Sequence, residues 1–338
     1  MNNYKGVLPG IFILFAAGVL YRKYQDKLLS YESQENEKLI KKYLLNENIP
    51  NYLKKPILWI HIPYKINARI WKDYGSRNTE NLNEPYLYLT IKSIIDNCSN
   101  SFRICLIDDN SFHTLLPSFK VNFSKLPEPI DENIRTLSKL MLLKTYGGMF
   151  VPPSFVCSKN LKNIYTDGIE SKKMFFNEAV SRNSTSNVLS TFTDYDFMGC
   201  EKKCPVVDEC INYLQSLISR DATSESKFDG NFQRFIFSLQ NQEKINIISG
   251  EKIGIKDNNG EVLLLDDIMN DTPIELSKNN CGVLIPHDDL LLRLKYKYFV
   301  HLSIPEILES ETFIGKLLEN VDNSENSGNK KQLSKTCL

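Results

Sequence analysis

The stretch Asn133–Cys157 reads N-I-R-T-L-S-K-L-M-L-L-K-T-Y-G-G-M-F-V-P-P-S-F-V-C and divides into a helix, a double-glycine turn and a strand. Ile134, Leu137, Leu140, Met141 and Leu143 recur at helical spacing, and no breaker precedes Gly147. Gly147 falls where a left-handed C-cap belongs, because glycine takes positive φ without a Cβ penalty. Lys144, in the last turn, complements the negative end of the helix dipole. Met149, Phe150 and Val151 form a short apolar strand, and Pro152-Pro153 end it because neither can donate to a ladder.

Outward from this unit the chain alternates strands and helices. Ile57–Ile62 (I-L-W-I-H-I), bounded by Pro56 and Pro63, is predicted to be a buried first strand. Glu84–Asn97 is predicted to be a helix with Tyr88, Ile91, Ile94 and Ile95 facing in. Phe102–Ile107 is predicted to be a second buried strand, followed at once by Asp108-Asp109. Further strands are expected at Lys173–Asn177 and Asp196–Cys200, and helices at Pro205–Ser219 and Ser303–Leu318. A hairpin signal stands at Asn258-Asn259-Gly260. Pro117–Pro129, with three prolines, is expected to be a loop. The succession is that of an α/β domain.

The 338 residues allow one large α/β domain or two small ones. With 41 basic and 41 acidic side chains there is no net field to favour nucleic acid, so none is expected as a partner. Eight cysteines are scattered, and the Cys200, Cys204, Cys210 cluster lacks the paired knuckles or nearby His of a zinc site. Sequons at Asn97, Asn122, Asn183 and Asn270 are close to chance in so Asn- and Ser-rich a chain.

Val7–Tyr21 is uncharged and ends at Arg22-Lys23. It falls short of the roughly 20 apolar residues that span a bilayer core comfortably and lies close to the lower limit of about 17. A signal peptide is the competing reading, but bulky, charged residues follow where a small-residue cleavage site belongs. The reading is therefore a single-pass anchor over residues 1–25, with membrane contact through 7–21. A helical stalk over 26–55, a folded body over 56–319 and a disordered Asn- and Ser-rich tail over 320–338 complete the organisation. Arg22, Lys23 and Lys27 lean towards a cytosolic body. Anchored Golgi enzymes have the opposite orientation, which leaves orientation and compartment open.

Three features in order resemble the capsular-polysaccharide-synthesis and DXD-sugar-binding group of glycosyltransferases. They are Ile57-Leu58-Trp59-Ile60, Leu106-Ile107-Asp108-Asp109, and Leu140–Gly148 ending in Tyr146-Gly147-Gly148. Phe197-Met198-Gly199, with Pro205-Val206 after it, resembles the next strand and helix. The resemblance covers Pro56–Ser219. It implies a GT-A fold, a mixed sheet flanked by helices, and transfer of a sugar from a nucleotide-sugar donor to a glycan or glycoprotein acceptor. It also implies an Asp-x-Asp after the Gly-Gly strand that holds a divalent cation on the diphosphate. Here those acids fall on Pro152 and Ser154, with Pro153 between. An early helical Asp falls near Thr136 and a following Arg near Lys139. No metal or other cofactor is therefore assigned beyond the donor itself, and the expectation is a DXD-less transferase or an inactive protein of the same fold. The implied substrate-binding residues are Asp108, Asp109, Tyr146, Gly147 and Gly148; no catalytic residue is assigned.

Other candidate residues have plainer roles. Asp109 stands where a helix N-cap would. Asp194-Tyr195-Asp196 precedes a strand and reads as a coincidental Asp-x-Asp. His287-Asp288-Asp289 reads as a solvated turn opening a helix at Leu290-Leu291-Leu292. His61 reads as a satisfied core histidine, and Lys159, Lys162, Lys172 and Lys173 as a solvated face.

Overall fold

A computed structural model describes residues 55–63, 84–117, 119–127, 130–179, 192–220 and 229–321. The expected anchor at 7–21 and nearly all of the stalk lie outside them. Among the described residues, no helix is long and apolar enough to cross a membrane. The chain divides into two compact units, and the strands all belong to the one formed by residues 55–109 and 122 onward. The described part of the other carries α2 (Ser111–Leu115), with Phe112 and Leu115 buried.

The main unit is mixed α/β. Its elements are β1 (Ile57–Ile62), α1 (Tyr86–Cys98), β2 (Arg103–Asp108), α3 (Ile130–Tyr146), β3 (Gly148–Phe150) and β4 (Phe155–Cys157). There follow α4 (Lys162–Gly168), β5 (Met174–Ala179), β6 (Phe192–Cys200), α5 (Pro205–Ile218), α6 (Asp229–Asn241) and β7 (Ile245–Ile248). Last come α7 (Leu265–Ile268), β8 (Gly282–Leu284), α8 (His287–Leu292) and α9 (Ile304–Leu308). Six strands form one sheet in the order β2-β1-β3-β6-β5-β7, and β4 pairs with β8 separately. β1 runs parallel to β2 and β3, and β5 parallel to β7, while β6 opposes both of its neighbours.

The double glycine works as expected and does more. Gly147 takes φ +72° and its N–H closes on the Leu143 carbonyl at 2.8 Å. Gly148 takes φ +98°, and a Cβ there would lie 2.2 Å from the Ile57 carbonyl oxygen. Only glycine lets β3 approach β1 so closely. The buried Trp59 indole then donates to the Gly147 carbonyl at 3.0 Å, locking the turn to the middle of β1.

Several expectations change. β2 is not a buried strand: it is a sheet edge, and Leu106 is 56% exposed. In α1, Ile91 and Ile94 are buried, but Tyr88 and Ile95 are exposed. The buried face runs through Leu87, Thr90, Ile91, Ile94 and Cys98, and residues 88 and 95, seven apart, share the opposite side. The hairpin around Asn258-Asn259-Gly260 reduces to a single bridge, Lys256 to Val262. The last predicted helix is broken after Leu308, and a second helix occupies 313–321, where Thr312 Oγ1 accepts from the Gly315 N–H. That helix ends at 321, two residues past the expected end of the folded body, and the rest of the expected tail lies outside the described residues.

Candidate functional site

A cavity of about 560 Å³ opens beyond the carboxyl ends of β1 and β3. His61 and Pro63 reach it from β1, and Phe150 to Ser154 from β3. Asp194 and Asp196 reach it from β6, Lys139 from α3, and His287, Asp288 and Asp289 from α8.

Pro152-Pro153-Ser154 form the turn between β3 and β4. The Phe155 N–H closes on the Pro152 carbonyl at 3.2 Å. The Pro153 carbonyl accepts from Thr90 Oγ1 of α1 at 2.5 Å, and the Ser154 carbonyl from the Ile285 N–H at 3.2 Å. Prolines suit this turn because it uses carbonyls and leaves no proline N–H to satisfy. The acid pair implied by the resemblance does not fit here, since neither proline offers a side-chain oxygen. Among the described residues, no three His, Cys, Asp or Glu side chains converge as a metal-ligand set, the Cys200, Cys204, Cys210 group included. Those three cysteines, with Cys98, Cys105, Cys157 and Cys281, are free thiols.

Behind His61 lies a buried ion network. Asp109 accepts from His61 Nε2 at 2.9 Å, from Arg135 Nε at 3.0 Å and from Arg135 Nη2 at 2.9 Å. Arg135 Nη1 reaches Asp131 at 2.7 Å, one turn back along α3. Burial by itself would raise the Asp109 carboxyl; the hydrogen bonds from His61 and Arg135 outweigh it and hold it well below the usual carboxylate range. Burial also opposes the Arg135 charge, and the bonds and field of Asp109 and Asp131 overcome that, so Arg135 titrates above its ordinary value. Burial pushes His61 down to about 4 despite the Asp109 bond, so it is neutral near pH 7 and donates through Nε2.

One more turn along the same stripe of α3 stands Lys139. Its Nζ lies 5.9 Å from the Phe150 ring centroid, and it makes no hydrogen bond or ion pair with another described residue. Burial lowers its pKa; Asp196 pulls it back up and Arg135 pushes it further down. It is the one lysine or arginine among the described residues lining the cavity.

The opposite wall is built differently. Tyr86 Oη and His287 Nδ1 are 2.5 Å apart, and Glu84 Oε2 stands 3.5 Å from the same nitrogen. Burial, then the fields of Glu84 and Asp288, hold the Tyr86 phenol well above its ordinary value, so it keeps its proton; donated to Nδ1, that proton leaves the neutral His287 ring protonated on Nε2. Burial lowers His287 while Asp288 pulls it up. Glu84 Oε2 has no hydrogen-bond partner among the described residues, and burial raises the carboxyl to about 7.

The implied binding residues are thus dispersed. Asp109 is buried and meets the cavity through His61, while α2 starts after Asn110 with no side-chain cap bond. Asp108 ends the edge strand β2, and Tyr146, Gly147 and Gly148 form the turn into β3. None of the five lines the cavity. Two groups given plainer readings line the cavity. Asp194 and Asp196, two apart on β6, face the cavity together because strand side chains alternate. His287, Asp288 and Asp289 open α8 as expected, but they line the same cavity, and of the three only Asp288 is well exposed. Lys159, Lys162 and Lys172 are solvated. Sequence reasoning missed Arg135, and reached Lys139 only as the counterpart of an Arg in the resemblance. The signal was present as Asp131, Arg135 and Lys139, three charges at four-residue spacing inside an apolar-periodic helix.

No family model matches the chain, and no curated protein matches it. Similar solved structures include the apo-form glycosyltransferase GlyE of Streptococcus pneumoniae TIGR4, at 8% identity and TM-score 0.38, over 60% of this chain and 47% of that one. The PaToxG glycosyltransferase is similar at 11% identity and TM-score 0.30, over 62% and 79%. The galactosyltransferase LgtC, in complex with donor and acceptor sugar analogs, is similar at 8% identity and TM-score 0.32, over 58% and 74%. The chain spans about half the length of the GlyE chain.

Proposed function

We propose that this chain is a membrane-anchored protein of glycosyltransferase type that binds a nucleotide sugar in the cavity beyond β1 and β3. In this reading it transfers the sugar to a glycan or glycoprotein acceptor by a route without the Asp-x-Asp metal site. The observation that carries the reading is Lys139, a partly buried lysine without an ion-pair partner among the described residues, in a cavity at the carboxyl end of a sheet, where an entering diphosphate would favour its charged form. Sequence support comes from the resemblance over Pro56–Ser219.

The chemistry follows from the lining. Charge builds on the diphosphate as the glycosidic bond to the donor breaks, and a fixed ammonium in partly dry surroundings stabilises it. Lys139 takes that role, with Phe150 beneath it. Asp194 and Asp196 accept hydrogen bonds from sugar hydroxyls. Asp109 acts as a positioning residue, holding the His61 ring with its proton on Nε2. The anchor over 7–21 places this body at a membrane. A second reading, a non-catalytic binding protein of the same fold, is favoured by the commitment of Pro152–Ser154 to the turn.

Calorimetric titration of the full chain with UDP-, GDP- and CMP-sugars, with and without Mn²⁺, tests this. Binding of one nucleotide sugar without Mn²⁺ is expected, weakened about tenfold or more in Lys139→Ala. No binding of any of them overturns the proposal, and binding that requires Mn²⁺ overturns the metal-free route. Binding without release of free nucleotide in the presence of glycan acceptors selects the second reading.

A further inference from the structure

Beyond α8 the chain reads Leu292-Arg293-Leu294-Lys295-Tyr296-Lys297-Tyr298. Leu292 is 78% exposed and Leu294 89%, and Tyr298 stands more than half exposed beside them in sequence. Isolated exposed leucines need no explanation, but two nearly bare ones and a tyrosine within seven residues do. The segment is not loose. Leu290 and Phe299 are fully buried at its ends and Tyr296 is buried within it. Arg293 Nη1 reaches Asp266 of α7 at 2.7 Å, Tyr296 Oη donates to the same carboxylate at 2.5 Å, and Lys295 stands 3.6 Å from it. The Arg293, Tyr296, Lys297 and Phe299 N–H groups all close short turns. The apolar tips are thus held out in water by a fixed scaffold.

We propose that residues 292–298 form a docking surface for an anionic lipid bilayer. Exposed leucine tips, a tyrosine close by in sequence and lysines between them are what such a surface engages: apolar atoms enter the acyl boundary while the exposed Lys295 and the half-buried Lys297 meet phosphate and carboxylate headgroups, Arg293 staying on Asp266. A second copy of the chain is a poorer occupant, because a self-complementary contact sets Lys295 and Lys297 against the same lysines of the other copy. The surface follows α8, whose first residues line the cavity, so docking brings the cavity mouth near the lipid. This inference does not depend on the proposed transfer reaction.

The test is hydrogen exchange on the full chain bound to vesicles of phosphatidylcholine, with and without phosphatidylserine. Because the readout is local, it is independent of whether residues 7–21 also anchor the chain. Exchange at 292–298 is expected to slow by about tenfold on the phosphatidylserine vesicles only, and to recover at high salt. L292D/L294D, at solvated positions, is expected to melt like the wild type and to lose the protection. Unchanged exchange on both vesicles overturns the proposal, as does equal protection in wild type and L292D/L294D. Protection that rises with protein concentration in the absence of vesicles also overturns it and assigns the surface to a second copy.

Discussion

Two histidines line the cavity from opposite walls, His61 buried and His287 half-buried, each neutral near pH 7 and beside a carboxyl group, and their carboxyl groups behave in opposite ways. His61 sits on Asp109, which is held ionised far below its ordinary range. His287 sits beside Glu84, whose carboxyl is raised to about 7. Burial acts in the same sense on both acids. The difference is Arg135, which gives Asp109 three close N–H contacts and has no counterpart at Glu84 Oε2 among the described residues. A buried histidine–carboxyl pair thus has no fixed charge state; the third group decides it.

The sharpest way to break this comparison is to remove the third group. Arg135→Ala leaves Asp109 buried beside a neutral histidine and is expected to cost about 3–5 kcal/mol in urea unfolding. Arg135→Lys keeps the charge, loses the paired N–H geometry, and should cost less. A loss under about 1 kcal/mol for Arg135→Ala would mean that Asp109 simply takes up a proton, as Glu84 does.

The pH dependence is the next test. Glu84 is protonated in the folded chain up to about pH 7 but ionises above 4.5 when unfolded, so its contribution to stability falls as pH rises through that window. His61 runs the other way: its folded value near 4 lies below the unfolded 6.5, so stability grows as pH rises between them. In the wild type the two largely offset. Glu84→Gln removes the first alone, and its gain in stability from pH 4.5 to 6.5 should exceed that of the wild type by about 2–3 kcal/mol. Parallel profiles would show that Glu84 is solvated when folded.

The smallest effect is at the phenol. Tyr86→Phe deletes the bond to His287 Nδ1 and is expected to cost about 1 kcal/mol. It also frees that nitrogen to take a proton beside Glu84, so the His287 imidazole should titrate higher by NMR. An unmoved titration would assign the His287 tautomer to something other than Tyr86.

Much of the fold was legible because it rests on local rules. The helix ending at Tyr146, the positive φ at Gly147, and the strands at Ile57 and Met149 follow from periodicity and glycine chemistry. The exposure of Leu106 was not legible, because strand order decides which strand becomes an edge. The site was less legible still. Asp194 and Asp196 gain meaning only when β6 inserts antiparallel beside β3, and His287 only when β8 pairs with β4. Asp109 was visible as a candidate, but its partner Arg135 stood in the middle of the deciding helix, where apolar spacing drew attention away from the charged stripe.

The turn at Pro152–Ser154 sets an order of events during synthesis. Its backbone is completed by the Ile285 N–H, and β4 pairs only with β8, roughly 130 residues further along the chain. A nascent chain that has emerged through β6 can assemble β1, β2, β3, β5 and β6, yet one wall of the cavity does not exist until α8 leaves the ribosome. A complete cavity therefore requires the C-terminal third, and truncations before Gly282 are expected to retain sheet structure without it.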